Sequence, residues 1–171
     1  MLCISQWQRL LDYLDRMGAP YLIRQPAKEY VPIPCSFAEN PLPIEYMQFV
    51  EHYGYPTLYI DEDLCLGFLP PKQIYAHPLL LTGVYPFAVC SSDCQVTVVL
   101  DHNDIEWNVV VYEGMERVDS EGSFVNWMEG QVRQFLLQLM NYNFQDLQTR
   151  QFSLRNDPLL LCSSNRFANL G

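Results

Sequence analysis

Basic residues are scarce in this chain: ten Lys and Arg stand against twenty Asp and Glu, a formal charge of −10. A protein that grips a phosphate backbone needs the opposite balance, because each neutralised phosphate releases a counterion only if a cation replaces it. Nucleic acid is therefore not an expected partner, and an anionic membrane surface is equally unattractive. Long apolar runs are missing as well, since none approaches the roughly 18 to 20 residues that cross a bilayer. The N-terminus, "MLCISQWQRLLDYLDRMG", lacks a basic leading region and carries Arg9, Asp12, Asp15 and Arg16 among its apolar residues. It reads as an amphipathic helix rather than a secretion signal, so a cytoplasmic, soluble protein is expected. Also absent are G-x-S-x-G, H-E-x-x-H, the P-loop and G-x-G-x-x-G, and with them the common ways of building a nucleophile, a zinc site or a phosphate cradle. No enzymatic activity and no cofactor are expected.

Paired cysteines are a further lack. Cys3, Cys35, Cys65, Cys90, Cys94 and Cys162 are scattered, and only Cys90 and Cys94 lie close. Zinc and redox pairs usually leave two intervening residues, whereas "CSSDC" leaves three and has no second pair beside it. Reduced, mostly buried thiols are the expectation. Charged residues make up 18% of the 171 positions and hydrophobic ones 49%, which excludes a disordered chain and allows one domain with a sizeable core.

What is present reads as alternating helix and strand. Trp7, Leu10, Leu11, Leu14 and Met17 recur at helical spacing over residues 5–17, with Ser5 and Gln8 in a capping-box pattern and Gly18-Ala19-Pro20 as the stop. Prolines at 20, 26, 32, 34 and 41 then predict extended or irregular chain, pinned to the domain by Tyr21, Leu22, Ile23, Tyr30, Val31, Ile33 and Phe37. "NPLPIEYMQFVEHYG" predicts a short helix with Leu42, Tyr46, Phe49, Val50 and Tyr53 as its apolar stripe and Gly54 at its end. Strands follow at 57–60 and 64–69 around an acidic turn, and at 85–91, 94–100 and 105–112. "KQIYAHPLL" suits a short helical turn between the two sets. Ser123 caps a long helix whose buried side is Phe124, Trp127, Met128, Phe135, Leu136, Leu139 and Met140, and Gly130 within it suggests a close packing contact. Residues 144–171 form a C-terminal extension to a core of about 5–143, with Leu159–Cys162 open as a final strand or a surface tail. The order predicts a single α+β domain, an antiparallel meander of four to six strands packed against helices.

Three groups of residues invite chemistry. Asp101-His102-Asn103-Asp104 sit between two strands and suit a hairpin turn, because Asp and Asn side chains bond nearby backbone N–H groups. A calcium loop would need alternating oxygen ligands, and Ile105 and Trp107 break that pattern. His52 reads as solvated on its helix and His77 as a turn residue. A small hydrolase or metal enzyme built from Cys90, His102 and nearby carboxylates is the alternative, though no motif supports it. Finally, Asp61-Glu62-Asp63 stands among Tyr53, Tyr55, Tyr59 and Tyr75, which suit either an interface or a core with its hydroxyls reaching water.

The ordered set resembles a known family. "LPIEYMQFVEHYG", "VTVVLDHNDIEWNVVVYEG" and "SFVNWMEGQVRQFL" resemble, in that order, the Leu-Pro helix, the paired strands and the closing helix of the SMI1/KNR4 (SUKH) superfamily. Tyr53-Gly54-Tyr55 stands where the family often has Asn-Gly, and the 19–41 segment has no counterpart. The resemblance implies an α+β protein-binding module with no catalytic site. Many bacterial members are immunity proteins that neutralise toxins, often nucleases, and some eukaryotic relatives are regulatory scaffolds of larger complexes. A basic toxin would give the acidic charge a purpose. The expected partner-binding residues are Asp61, Glu62, Asp63, Asp101 and Asp104 as charge donors, with Tyr55 and Tyr59 as anchors.

Overall fold

The computed structural model describes residues 2–16, 22–24, 41–59, 65–90, 96–103 and 105–139, without the side chains of 2–4, 15, 22–24 and 59. In chain order the elements are α1 (Leu2–Arg16), β1 (Leu22–Arg24), α2 (Ile44–Tyr53), β2 (Thr57–Tyr59), β3 (Cys65–Phe68), α3 (Pro71–Ala76), a 3-10 turn (Pro78–Thr82), β4 (Tyr85–Val89), β5 (Val96–His102), β6 (Trp107–Glu113), β7 (Glu116–Gly122) and α4 (Phe124–Leu139). The strands make one open antiparallel sheet whose spatial order is the chain order, β1 to β7. The α+β meander is the expected architecture, with one strand beyond the expected range. The acidic turn at 61–63, Ser92-Asp93, Cys94 and the possible strand at 159–162 lie outside the described residues.

Two strands escaped the sequence reading for different reasons. β1 sits in the proline-punctuated segment, where its three residues pair with Thr57–Tyr59. β7, "ERVDSEG", has almost no apolar residue to mark a period, and Glu116 to Glu121 are all exposed. It is held to β6 by backbone pairing through two register shifts. Charged side chains and bulges are how an edge strand avoids pairing with other chains.

The core lies between one face of the sheet and helices α1, α2 and α4. Trp7 meets Phe49 at 5.5 Å and Phe68 at 6.2 Å, edge to face, while Phe49 stacks on Phe68 at 4.6 Å. Phe87 continues the network to Trp127 at 5.1 Å and to Phe124 at 5.7 Å. These geometries add to burial because a ring's positive edge sits against another's negative face. The opposite face carries a second, smaller cluster in which Val99 and Val110 pack with Leu79 and Val84. β6 is thus dry on both faces where the 3-10 turn covers it, and wetter only at its ends, where Trp107, Asn108, Val111 and Tyr112 are half-buried.

Local expectations are mostly met. Gly54 takes φ +73° and donates its N–H to the Val50 carbonyl at 2.8 Å, ending α2. Ser123 Oγ accepts the Asn126 N–H at 3.2 Å, capping α4. Two expectations fail. α1 begins at Leu2, so Ser5 lies inside it rather than at its N-cap position. Gln8 instead donates from Nε2 to Asp12 Oδ1 at 2.8 Å and accepts the Tyr53 hydroxyl at 2.9 Å, tying α1 to α2. Gly130 is exposed, and a Cβ there would meet nothing within 4 Å. The helix tolerates it without a packing reason. Val132, absent from the expected stripe, is buried, and Met140 lies outside the described residues.

Candidate functional site

The β5–β6 hairpin closes as turn chemistry requires. Asn103 Oδ1 accepts the backbone N–H groups of Ile105 at 3.1 Å and Glu106 at 2.9 Å, and Asn103 N–H bonds the Glu106 carbonyl at 3.1 Å. The side chain replaces a strand partner for two amides that would otherwise face water. Ile105, expected to open the strand at 105–112, is 90% exposed in the turn instead. Beside it, Trp107 Nε1 donates to the Pro41 carbonyl at 2.9 Å, and its ring meets His102 at 4.9 Å. The residues preceding α2 and the hairpin tip, remote in sequence, are therefore joined. Asp101 accepts from Arg117 Nη1 at 3.5 Å across the sheet, a long and half-exposed pair of small energetic weight. Asp104 lies outside the described residues.

No dyad forms between Cys90 and His102. Cys90 N–H bonds the Val96 carbonyl at 3.1 Å, at the start of β5, and His102 ends that strand opposite Trp107. Six residues of strand separate the two ends, roughly 20 Å at about 3.3 Å per residue. No group of three His, Cys, Asp or Glu side chains among the described residues could hold a metal ion. His52 is exposed on α2. His77 caps the 3-10 turn, its Nδ1 accepting the Leu79 N–H at 3.2 Å, and burial lowers its pKa.

The tyrosines divide between core and surface. Tyr53 is buried with its hydroxyl on Gln8. Tyr55 is half-buried beside Tyr46, Tyr75 and Tyr85, each close enough to raise a neighbour's pKa. Burial is the leading cause in all four, and all four pKa values are raised, so these remain neutral phenols at physiological pH. Tyr75 is 40% exposed and is the part of this cluster open to a partner. Tyr59 lies on β2 with its side chain outside the described set, as are Asp61, Glu62 and Asp63 altogether. Nothing among the described residues joins Tyr55 to Asp101.

A second feature lies at the far end of the β5–β6 pair. A cleft of about 160 Å³ opens between α4 and the sheet, with Val96, Val98, Val111, Trp127 and Phe135 as an apolar floor. Glu121, Gln131 and Gln134 form its polar rim, and Cys65 and Cys90 complete it. Burial pushes the Cys90 thiol up to about 12, with Cys65 and the Glu121 carboxylate adding to the rise, which disfavours the reactive thiolate at physiological pH.

Over the stretch from β5 to β7 the charge of the sequence is strongly one-sided. Of the twenty carboxylates, seven (Asp101, Asp104, Glu106, Glu113, Glu116, Asp119 and Glu121) fall between residues 101 and 121, with Arg117 as the sole base in that span. Glu106, Glu113, Glu116, Asp119 and Glu121 are exposed. The sequence reading took Asp101 and Asp104 from this group and missed the four on the β6–β7 hairpin. The local excess of acid was visible in the sequence, but β7 was not recognised as a strand, so nothing placed those side chains together. No described helix is long and apolar enough to cross a membrane. The chain matches no protein-family model, no curated protein and no solved structure.

Proposed function

We propose that this chain is a non-enzymatic protein-binding module with a basic partner, and that it acts as an immunity protein neutralising a toxin by direct contact. The observation that carries this reading is the set of exposed carboxylates on the β6–β7 hairpin, Glu113, Glu116, Asp119 and Glu121, beside which the one base, Arg117, is paired with Asp101. Such a face raises the encounter rate with a cationic surface and rejects anionic ones, because like charges brought together cost several kcal/mol, roughly, at an interface. A toxin that grips phosphates presents such a cationic surface, which makes a nuclease the favoured target. The resemblance of its motif order to that of the SUKH superfamily supports the same reading by analogy.

Co-expression with the product of the neighbouring gene tests it. Growth should be restored and a complex recovered that dissociates as salt is raised, since exposed charges are screened within a Debye length of about 10 Å at 0.1 M. A neighbour with no toxicity contradicts the proposal. So does full rescue by a Glu113→Gln, Glu116→Gln, Asp119→Asn variant at unchanged salt dependence.

A further inference from the structure

We infer that the cleft beneath Glu121 receives the side chain of an arginine carried by a protein partner. The inference rests on the protein-binding reading and specifies where and by what group that partner is anchored. Its first support is chemical fit. An arginine has an apolar stem and a planar, weakly hydrated head with five donors and no acceptor. The cleft offers an apolar floor for the stem in Val96, Val98, Val111 and Phe135, and a rim of acceptors in the Glu121 carboxylate and the Gln131 and Gln134 amides. Among the described residues, no hydrogen bond or ion pair engages the side chains of these three rim residues and no basic residue lines the cleft.

The second support is the backbone that aims Glu121. Pairing between β6 and β7 passes from Val110 opposite Ser120 to Val109 opposite Gly122, leaving Glu121 as the extra residue of a bulge. A bulge bends its strand and redirects a side chain, and here the redirected group is the one carboxylate of β7 that reaches the cleft. Size is the third. At about 160 Å³ the cleft holds one long side chain, well short of the roughly 300–1,000 Å³ that small-molecule sites occupy. Arginine is favoured over lysine because its weakly hydrated fork of five donors can serve the Glu121 carboxylate and the Gln131 and Gln134 amide oxygens together, whereas a lysine ammonium is strongly hydrated and has three donors.

The test needs no known partner. The full-length protein, labelled for NMR in 0.15 M salt, is titrated with Nα-acetyl-arginine methylamide and, in parallel, with the norleucine analogue. The arginine probe should shift the Trp127 indole N–H and the amides of Glu121, Gln131 and Gln134 saturably, and the norleucine probe should not. Glu121→Gln, at an exposed position, should keep the melting temperature and weaken the arginine probe by about tenfold or more, the weight of a charge-assisted hydrogen bond. Gln134→Ala should weaken it less. Shifts spread over Glu113, Glu116 and Asp119 with Trp127 unmoved would overturn the inference, as would affinity unchanged in Glu121→Gln. These outcomes are independent of whether the neighbouring gene encodes a toxin.

Discussion

β6 belongs to two hairpins of opposite character. On one side it pairs over seven residues with β5, where Val98, Val99 and Leu100 are at most 1% exposed. On the other it pairs with β7, where Glu116 to Glu121 are all exposed. The backbone ladder is present in both, so hydrogen bonding does not distinguish them. What differs is which side chains leave water. β5 is packed on both faces and contributes burial energy, while β7 adds a ladder and leaves its side chains in water. Burial and exposed charge are thus divided between the two neighbours of a single strand.

The sharpest way to break this comparison is to truncate each side. Leu100→Ala removes a fully buried side chain and should cost about 2–5 kcal/mol, whereas Asp119→Ala on β7 should stay within about 0.5 kcal/mol. Urea denaturation of the two variants reads both numbers, and equal costs would refute the division. The anchored end of β5–β6 comes next. Trp107→Phe deletes the bond to the Pro41 carbonyl and should cost about 1 kcal/mol. Its hydrogen-exchange signature should be faster exchange in residues 41–47 as well as in the hairpin.

Smaller effects lie away from both hairpins. Gly130→Ala should stabilise the protein by up to about 1 kcal/mol, because the position is exposed and unobstructed; a lower melting temperature would mean an unseen contact. His77 gives the smallest effect, and its sign is fixed. Its folded pKa is lowered by burial, so the unfolded chain takes up a proton more readily. Its contribution is complete above the ordinary histidine value of about 6.5 and is lost as pH falls from there through the lowered folded value. His77→Asn, which keeps an acceptor at the cap, should flatten the decline of stability over that window relative to the parent protein.

The same contrast explains what could be read from the sequence. β4, β5 and β6 carry Val, Phe, Tyr and Leu at intervals that burial dictates, and Asn103 announced its turn through ordinary side-chain chemistry. α2 and α4 were marked by Gly54 and Ser123 at their ends. β7 carries no such signal, since an edge strand is selected for charge and irregularity rather than period. Glu121 could not be foreseen for the same reason: only the register shift against β6 turns it toward the cleft. Gln8 misled in the other direction. Its spacing from Ser5 suits a cap, but a helix that starts at Leu2 leaves it free to bind Tyr53, 45 residues away. Tyr53, Tyr55 and Tyr75 look alike in sequence and differ in burial because tertiary packing, not local pattern, decides which hydroxyl meets water.

On the proposed function, a partner engages the β6–β7 side rather than the helical face or the tyrosine cluster. Hydrogen exchange of the full chain, alone and with the product of the neighbouring gene, tests it directly. Added protection should fall on Glu113 to Gly122 and on the turn of α4 carrying Gln131 and Gln134. Protection confined to α1 and α2, or to the neighbourhood of Tyr55 and Tyr75, would contradict it.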